Sequence, residues 1–589
     1  MSGQGERPGG PWLGAVARAD GTTRFRLWAP DARQVQLEVD GEHTHAMTRH
    51  EDGSFDIVLP LGPGTRYRYR IDDAEPVPDP ASRWQPEGVH GPSAVVDADA
   101  YAWQHADWQG RPWREAVIYE LHVGTSGGYA GVMAQLPRLV ELGITAIELM
   151  PLNEFPGKRN WGYDGVLPYA PESAYGTPDA LKALIDTAHG HGLMVLLDAV
   201  YNHFGPDGNY LHQYAEGFFN ADAPTPWGPA IDFRKEAVQR YFIDNALMWL
   251  HEYRFDGLRL DAVHAIVPND FLETLRQAIV ASVPDGRHVH LVLENEANQA
   301  FRLVDGYTAQ WDDDFHNALH VLLTGEDEGY YAGFADDASG HLARVLGEGF
   351  AYQGQADHRG HRRGEPSGHL PPTKFVVFAQ NHDQIGNRAM GDRLITQVSP
   401  PALRVALALT ALTPMIPLFF MGEPWGARQP FQFFTDYAAP LDEAVREGRR
   451  REFAHFAAFA NPAMRERIPD PNAVQTFEAS KVDIGESSRG EGAAFADWFA
   501  QLLQVRASQL VPHLDEAHSL GAQVLAPGAI MARWQLGVAV LQVEFNLGTA
   551  PLAVPAPAGA RLLHAEGASA DSDALGPNTL RVWWQDAQA

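Results

Sequence analysis

The 589-residue sequence predicts an α/β protein in which a (β/α)8 TIM barrel carries an N-terminal β-sandwich and a C-terminal antiparallel β domain. Three observations predict this fold class. Short strands separated by turns fill the first hundred residues, eight apolar runs alternate with helical segments in the middle of the chain, and strand periodicity returns after about residue 500. We expect domains at residues 1–92, which include a linker, at 93–500 and at 501–589.

The N-terminal segment alternates apolar and polar residues with a period of two. Phe25 and Leu27 belong to one such run, and turn residues such as Asp40-Gly41 separate the runs. Short strands at this spacing are typical of a β-sandwich. Residues 75–92 contain five prolines, which neither continue a helix nor pair well in a sheet, so we interpret this stretch as an extended linker.

The middle of the chain contains eight nearly continuous apolar runs, which are typical of buried parallel strands. Between them Thr177 is suited to cap a helix that begins at Pro178, and apolar residues follow at helical spacing. This alternation indicates a (β/α)8 barrel. A doubly wound sheet is the competing arrangement, but residues 124–128 do not fit the GxGxxG turn that it would require. The eight predicted strands are residues 117–123, 144–150, 193–198, 257–261, 290–294, 308–312, 375–380 and 416–421.

The C-terminal segment returns to strand periodicity. Val538, Val540, Val543 and Phe545 alternate imperfectly with polar residues, and further short apolar runs follow. We therefore expect an antiparallel β domain at this end of the chain.

The composition excludes several classes of protein. The 75 acidic residues exceed the 45 basic ones by 30, which argues against binding of nucleic acid or of an anionic membrane and favours a neutral substrate. The chain has no cysteine, so disulfides, thiolate metal sites and cysteine nucleophiles are excluded. No apolar run approaches the roughly 20 residues of a membrane span, and the start, MSGQGERPGGPW, has no hydrophobic signal core. We therefore expect a cytoplasmic location and no membrane partner.

Four acidic residues lie where predicted barrel strands end. Asp198, Asp261 and Glu294 end the third, fourth and fifth strands, and Asp383 follows the seventh. Because all strands of such a barrel point the same way, these carboxylates meet at its C-terminal face, where barrel enzymes have their active sites. A single acid at the end of a strand is often only a turn residue or a helix cap, but four at one face indicate a site.

Carboxylates without cysteine suit a hard metal ion or the cleavage of a glycosidic bond. Arg259 lies two residues before Asp261, on the same face of the strand, and would keep that carboxylate ionised. We therefore predict Asp261 as nucleophile and Glu294 as acid/base. The alternatives are a structural Arg–Asp pair with a surface glutamate, or a two-metal hydrolase, for which no HExxH spacing is present. We expect neither a required metal nor another cofactor.

Histidine and aromatic residues complete the predicted site. His203 and His382 lie next to amide or acid residues in polar loops and could bind sugar hydroxyls. Aromatic rings stack on sugar faces, and aromatic residues crowd the loops after the second and third strands. Trp161 and Tyr163 are the ones that we expect in the cleft, and Trp227 is a further candidate from the same loops.

Four segments together resemble the signature regions of the α-amylase superfamily: DAVYNH at 198–203, GLRLD at 257–261, VLE at 292–294 and QNHD at 380–383. The resemblance implies a retaining mechanism, with a covalent glycosyl intermediate on Asp261 and Glu294 acting first as acid and then as base. Asp383 would bind hydroxyls of the distorted sugar in the −1 subsite, on which Tyr163 would stack. The resemblance further implies support of this sugar and the nucleophile by Arg259, His203 and His382, and structural roles for Asp198 and Asn202.

Other motifs resemble one family of this superfamily, the maltooligosyltrehalose trehalohydrolases. They are RNWGYDGV at 159–166, NHFGPDGNY at 202–210, LTGE at 323–326, QNHDQIGNR at 380–388 and FFMGEPW at 419–425, and the resemblance covers most of the chain. It implies hydrolysis of the α-1,4 bond next to the terminal trehalose of maltooligosyltrehalose. It also adds Asp164 and Glu423 to the substrate-binding residues.

The chain departs from this family at two places. Residues 122–125 continue into a loop shorter than the family's HVGTFTPEGTF. Glu294 is followed by Asn295-Glu296-Ala297 instead of a Ser-Asp pair, so Glu296 is a competing candidate for the acid/base.

Two sister enzymes share the predicted architecture. Tyr163-Asp164 argues against a glycogen branching enzyme, whereas an isoamylase, which cuts α-1,6 bonds, has a similar sequence there. A glucan-binding protein with an inactive barrel, held to glucan by its N-terminal domain, is the alternative from another class.

Overall fold

The computed structural model describes residues 11–41, 43–225, 228–455, 461–567 and 573–586. Eight strands form the N-terminal domain as two antiparallel sheets, with the orders β1-β2-β6-β5 and β4-β3-β7-β8. Phe25, Leu37 and Tyr69 are fully buried between these sheets, as the period of two predicts. The strands are β1 (Gly14–Ala17), β2 (Thr23–Trp28), β3 (Val35–Val39), β4 (His43–Ala46), β5 (Thr48–Arg49), β6 (Ser54–Leu59), β7 (Arg66–Ile71) and β8 (Ser93–Ala94).

The proline-rich stretch after β7 packs into the sandwich and does not extend away from it. Asp79 is fully buried and accepts hydrogen bonds from the hydroxyl of Tyr67 at 2.7 Å and from that of Tyr69 at 3.4 Å. The next residue, Pro80, accepts a hydrogen bond from Tyr241 of the barrel at 2.6 Å. This stretch therefore joins the sandwich to the barrel through buried polar contacts.

Eight parallel strands close into a barrel in the order β10-β13-β16-β17-β18-β19-β20-β9. Each one lies within or overlaps one of the eight predicted apolar runs, so the predicted fold class is confirmed. The barrel strands are β9 (Ile118–Leu121), β10 (Ala146–Leu149), β13 (Met194–Ala199), β16 (Gly257–Leu260), β17 (His290–Leu293), β18 (Ala309–Trp311), β19 (Phe375–Val377) and β20 (Ile416–Phe420). Two short antiparallel pairs lie in the loops after the second and third strands, β11 (Asn153–Glu154) with β12 (Leu167–Pro171), and β14 (Phe219–Thr225) with β15 (Gly228–Ile231).

Helices connect the barrel strands. As predicted, Thr177 caps α2 by accepting a hydrogen bond from the backbone N–H of Ala180. The helices are α1 (Gly128–Glu141), α2 (Pro178–Gly190), α3 (Glu236–His251), α4 (Phe271–Ser282), α5 (Ala300–Val304), α6 (Asp313–Thr324), α7 (Ala338–Glu348), α8 (His382–Gly386), α9 (Pro400–Leu412), α10 (Leu441–Glu452), α11 (Pro462–Arg465), α12 (Val474–Ala479) and α13 (Gly490–Val505). None of the helices in the described ranges is long and apolar enough to cross a membrane.

The C-terminal domain is antiparallel. Five strands form a sheet of order β21-β22-β23-β27-β25, and a separate pair joins β24 to β26. Trp534 and Leu541 lie opposite each other on neighbouring strands and have no exposed surface. The strands are β21 (His518–Ala526), β22 (Ala529–Leu536), β23 (Ala539–Asn546), β24 (Leu552–Ala553), β25 (Arg561–Glu566), β26 (Ala574–Leu575) and β27 (Thr579–Gln585).

Candidate active site

Arg259 on β16 is the centre of a charged cluster at the C-terminal face of the barrel. Its Nη1 donates hydrogen bonds to both carboxylate oxygens of Asp198, at 2.7 and 2.8 Å, and to Oδ1 of Asp261 at 2.7 Å. Its Nη2 lies 2.9 Å from Oε2 of Glu294. The guanidinium carbon is 4.1 Å from the ring centroid of Trp311. One buried cation therefore holds three carboxylates that come from three neighbouring strands.

Asp261 is fixed by a turn that also orients Glu294. The side chain of Asn202 donates a hydrogen bond to Oδ2 of Asp261 at 2.7 Å. The following residue, Ala262, has a left-handed backbone with φ of 41°, and its N–H donates to Oε2 of Glu294 at 2.8 Å. A left-handed backbone conformation is uncommon for a residue other than glycine, so the surrounding structure must stabilise this turn.

The surroundings of Glu294 favour the protonated form of its carboxyl group. Burial raises its pKa well above the usual value, and the neighbouring carboxylates of Asp261 and Asp383 raise it further, while Arg259 opposes the shift. The competing residue Glu296 is 68% exposed, and its carboxylate lies 3.9 Å from the His264 ring. Glu294 and not Glu296 therefore belongs to the cluster.

His382 links Asp383 to the barrel interior. Its Nδ1 pairs with Glu120 on β9, and its Nε2 lies 3.3 Å from Oδ1 of Asp383. Burial alone would lower the pKa of His382, but the carboxylates of Asp383 and Glu120 outweigh burial and raise it well above the usual value. Burial in turn would raise the pKa of Asp383, and the charge of His382 is the main cause that lowers it. Both shifts favour an imidazolium beside an ionised carboxylate.

Tyr163 bridges the two halves of the cluster. Its hydroxyl donates to Oδ2 of Asp198 at 2.6 Å and lies 2.8 Å from Nε2 of His382. The rings of Tyr163 and His382 are stacked, with centroids 5.2 Å apart. Burial raises the pKa of Asp198 to about 6, although Arg259 acts in the opposite direction. Tyr163 is therefore fixed by both Asp198 and His382.

Two predicted substrate-binding residues, Trp161 and Glu423, are buried. Trp161 is 4% exposed; its indole nitrogen donates to the carbonyl of Gln432, and its ring stacks on Phe431. Glu423, also 4% exposed, accepts hydrogen bonds from the side chain of Gln380 at 2.9 Å and from a backbone N–H at 3.0 Å. Burial raises the pKa of Glu423 to about 7. Both side chains are thus bound by the protein itself.

The remaining predicted substrate-binding residues are His203, Asp164 and Trp227. His203 is buried and pairs with the side-chain oxygen of Asn202, and burial lowers its pKa. Asp164 is half-buried and accepts a hydrogen bond from Asn160 at 2.7 Å. Trp227 lies outside the described residues.

Sequence reasoning missed three acidic residues of the cluster. Glu120 and Glu148 lie opposite each other on β9 and β10, and both are buried within apolar strands. Asp313 follows β18, and burial together with Asp383 raises its pKa to about 7. Asp313 carries the same signal that identified the other carboxylates, an acidic residue directly after an apolar strand.

In the described part of the chain no group of three or more His, Asp or Glu side chains is arranged to hold a metal ion.

The arrangement combines two carboxyl groups with a buried cation that contacts both. The carboxylate of Asp261 accepts hydrogen bonds from Arg259 and Asn202, whereas the environment of Glu294 favours its acid form. Two carboxyl groups at one site, one of them in surroundings that favour its acid form, are the pattern that glycosidases use for nucleophile and acid.

Three family descriptions match this chain. Residues 12–102 match carbohydrate-binding module 48, the isoamylase N-terminal domain, residues 97–227 match the alpha amylase catalytic domain, and residues 517–582 match a domain of unknown function. A crystal structure from Salmonella typhimurium described as an alpha amylase has a TM-score of 0.92 and 44% identity, and the match covers 98% of this chain and 100% of that one.

Relatives extend the similarity over nearly the whole chain. The malto-oligosyltrehalose trehalohydrolase of Deinococcus radiodurans is 41% identical over 580 residues, which cover 94% of each chain. The protein of the same name from Rhizobium sp. strain M-11 is 40% identical over 578 residues, covering 93% of this chain and 95% of that one. The chain therefore belongs to the malto-oligosyltrehalose trehalohydrolase family, within the α-amylase superfamily.

Proposed function

We propose that the chain hydrolyses the α-1,4 bond next to the terminal trehalose of maltooligosyltrehalose and releases trehalose and a maltooligosaccharide. The names of its relatives support the substrate. The observation that carries the chemistry is the contact of Arg259 with both Asp261, at 2.7 Å, and Glu294, at 2.9 Å.

In the first step Asp261 attacks the anomeric carbon of the sugar on the non-trehalose side of the bond. Glu294 donates its proton to the glycosidic oxygen, so the bond breaks and trehalose leaves with a hydroxyl group. The sugar remains bound covalently to Asp261. Burial and nearby carboxylates favour the protonated form of Glu294, which this step requires.

In the second step the ionised Glu294 takes a proton from water, which attacks the anomeric carbon and releases the sugar from Asp261. Configuration is retained because the carbon is inverted twice. Asp383 binds hydroxyls of the reacting sugar. His382 maintains the charge of Asp383, and Tyr163, fixed by Asp198, forms the wall on which that sugar stacks.

Product analysis tests this proposal. The protein is incubated separately with maltotriosyltrehalose, maltopentaose and a branched dextrin, with Glu294→Gln as the inactive control. We expect trehalose and maltotriose from the first substrate and much slower cleavage of maltopentaose. Linear chains freed from the dextrin would indicate an isoamylase-type activity, and new branch points would indicate a branching enzyme; either would overturn the proposal.

The match of residues 12–102 to a carbohydrate-binding module supports a second role, glucan binding by the N-terminal domain. Deletion of residues 1–90 would distinguish the two roles if it lowers affinity for glucan and leaves hydrolysis of short substrates. Because Tyr241 and Pro80 join the two domains, folding of the shortened chain is checked first by circular dichroism. The expected cytoplasmic location is part of the proposal and is tested by cell fractionation.

A further inference from the structure

A cavity of about 220 Å³ lies at the face of the barrel opposite the candidate active site. Its walls come from the ends of α2, α3 and α4, from residues 105–109 and from residues just before β16 and β17. Since the active-site carboxylates follow the other ends of these strands, the cavity and the site are separated by the length of the barrel. The cavity has no part in the proposed hydrolysis.

Basic side chains dominate the polar lining of the cavity, although the whole chain carries a net charge of −30. The acidic groups nearby are already engaged. Asp256 accepts hydrogen bonds from Trp108, from His189, from a backbone N–H and from Arg287, the last at 2.6 Å. Asp186 accepts from His105 and neighbouring groups. The basic residues that line the cavity are His105, His189, His251, Arg254 and Arg287.

Arg254 lines the cavity and has no ion pair in the described part of the chain. In the described ranges no carboxylate oxygen lies within 4 Å of its guanidinium, which is 4.5 Å from the ring centroid of Trp103. Burial lowers the pKa of Arg254, and the like charge of Arg287 lowers it further, while the carboxylate of Asp186 opposes this shift. The pKa of His251 is lowered by burial and by Arg287 as well, while Glu252 opposes this shift. An anion between these groups would replace repulsion by attraction.

His189 gives a second, independent indication of a ligand. Its side chain is 1% exposed, its Nε2 pairs with Asp256 at 3.0 Å, and its ring stacks on Trp108. Its other nitrogen, Nδ1, is buried and has no hydrogen-bond partner in the described part of the chain. With Nε2 donating to Asp256, Nδ1 of the neutral ring is an acceptor. Because buried polar atoms are rarely left unsatisfied, a donor at this wall is expected, such as an O–H group of a phosphate or of a monoester.

We propose that this cavity binds the phosphate group of a small metabolite, either inorganic phosphate or a phosphate monoester. Guanidinium groups bind phosphate oxygens through paired, charge-assisted hydrogen bonds, and Arg254 offers such a group. Arg287, whose terminal nitrogens already bond Asp256 and backbone carbonyls, adds positive charge to the same wall. The aliphatic part of the lining, which includes Leu250, Val283 and Val289, would contact the carbon skeleton of a monoester. This inference is independent of the proposed hydrolase activity.

Calorimetric titration of the full-length protein with inorganic phosphate and with glucose 6-phosphate tests the proposal, and glucose is the uncharged control. We expect saturable binding of at least one phosphate compound in the millimolar range or tighter, and none of glucose at this site. Equal affinity for the two phosphate compounds would identify phosphate itself as the ligand, and tighter binding of glucose 6-phosphate would identify a monoester.

Variants assign the binding to the cavity. Arg254 has a φ of 61°, a conformation that asparagine tolerates, so Arg254→Asn preserves the backbone while it removes the charge. We expect at least tenfold weaker phosphate binding in Arg254→Asn and in His251→Ala, with an unchanged melting temperature in the absence of phosphate. The matched control is Arg33→Ala, whose side chain is 79% exposed and remote from the cavity. Absence of saturable binding by the parent protein, or undiminished binding by both cavity variants, would overturn the proposal.

Discussion

The side-chain nitrogen of Asn202 holds Asp261 at two points, 2.7 Å from the carboxylate oxygen Oδ2 and 2.9 Å from the backbone carbonyl oxygen. With Arg259 on Oδ1, both carboxylate oxygens of Asp261 accept a hydrogen bond from a fixed donor. The nucleophile that we propose is therefore oriented before substrate binds, and little reorganisation is needed during the attack.

Replacement of Asn202 tests this orientation. Loss of a hydrogen bond to a charged group costs about 1.5–3 kcal/mol, so we expect kcat of Asn202→Ala on maltotriosyltrehalose to fall about 10- to 100-fold. Asn202→Asp should lose more, because a second carboxylate beside Asp261 repels it. A kcat of Asn202→Ala within twofold of the parent value would contradict the orienting role.

Asp261→Asn should lose nearly all turnover, by about 10⁴-fold or more, because an amide cannot form the glycosyl ester. The side chain keeps its shape and is only 11% exposed, so the melting temperature should change little. Calorimetry should detect bound substrate in this variant. Turnover near that of the parent would overturn the assignment of the nucleophile.

Glu294 and Glu296 form a matched pair for the acid/base role. Glu294→Gln should abolish cleavage of maltotriosyltrehalose, whereas Glu296→Gln, at a position 68% exposed, should remain active. Because the acid form of Glu294 is the working form, kcat/KM should decrease as pH rises through its raised pKa. The pH profile of Glu296→Gln should keep this decrease. The reverse pattern of activities would move the acid/base to Glu296.

Activity should persist after exhaustive dialysis against a chelator and in the presence of the chelator during assay. The proposed steps use only side-chain carboxyl groups and water, so no metal is required to polarise the bond. A complete loss of activity that added Ca²⁺ restores would contradict this prediction.

The sequence was informative where a strand ends and less so within strands. Asp261 and Glu294 follow apolar runs, and barrel geometry brings such strand ends together whatever the loops do. Glu120 lies inside an apolar run, so its pairing with His382 became visible only when β9 closed the barrel against β20 and β10. Trp161 was expected in the cleft because aromatic residues crowd its loop. Its indole is instead covered by a segment more than two hundred residues away in the sequence, and local patterns do not reveal such a contact.

Glu148 offers a test of how the barrel interior tolerates charge. Its two carboxylate oxygens are buried without hydrogen-bond partners in the described ranges, and Glu120 lies opposite it on the neighbouring strand. Burial is the main cause that raises its pKa well above the usual value, and the carboxylates of Glu120 and Asp198 raise it further. Folded Glu148 is therefore a neutral acid over a pH range in which the unfolded chain has already lost this proton.

The consequence is a stability that falls as pH rises. Between the unfolded and folded pKa values of Glu148 the folded state binds the extra proton, so each pH unit costs up to about 1.4 kcal/mol. Glu148→Gln removes this cost. We expect its melting temperature to match the parent below about pH 4, where the unfolded chain also keeps this proton, and to exceed it increasingly as pH rises above that value. Glu443→Gln, at a carboxylate 74% exposed, should follow the parent at every pH. Parallel curves for Glu148→Gln and the parent would show that Glu148 is ionised in the folded protein.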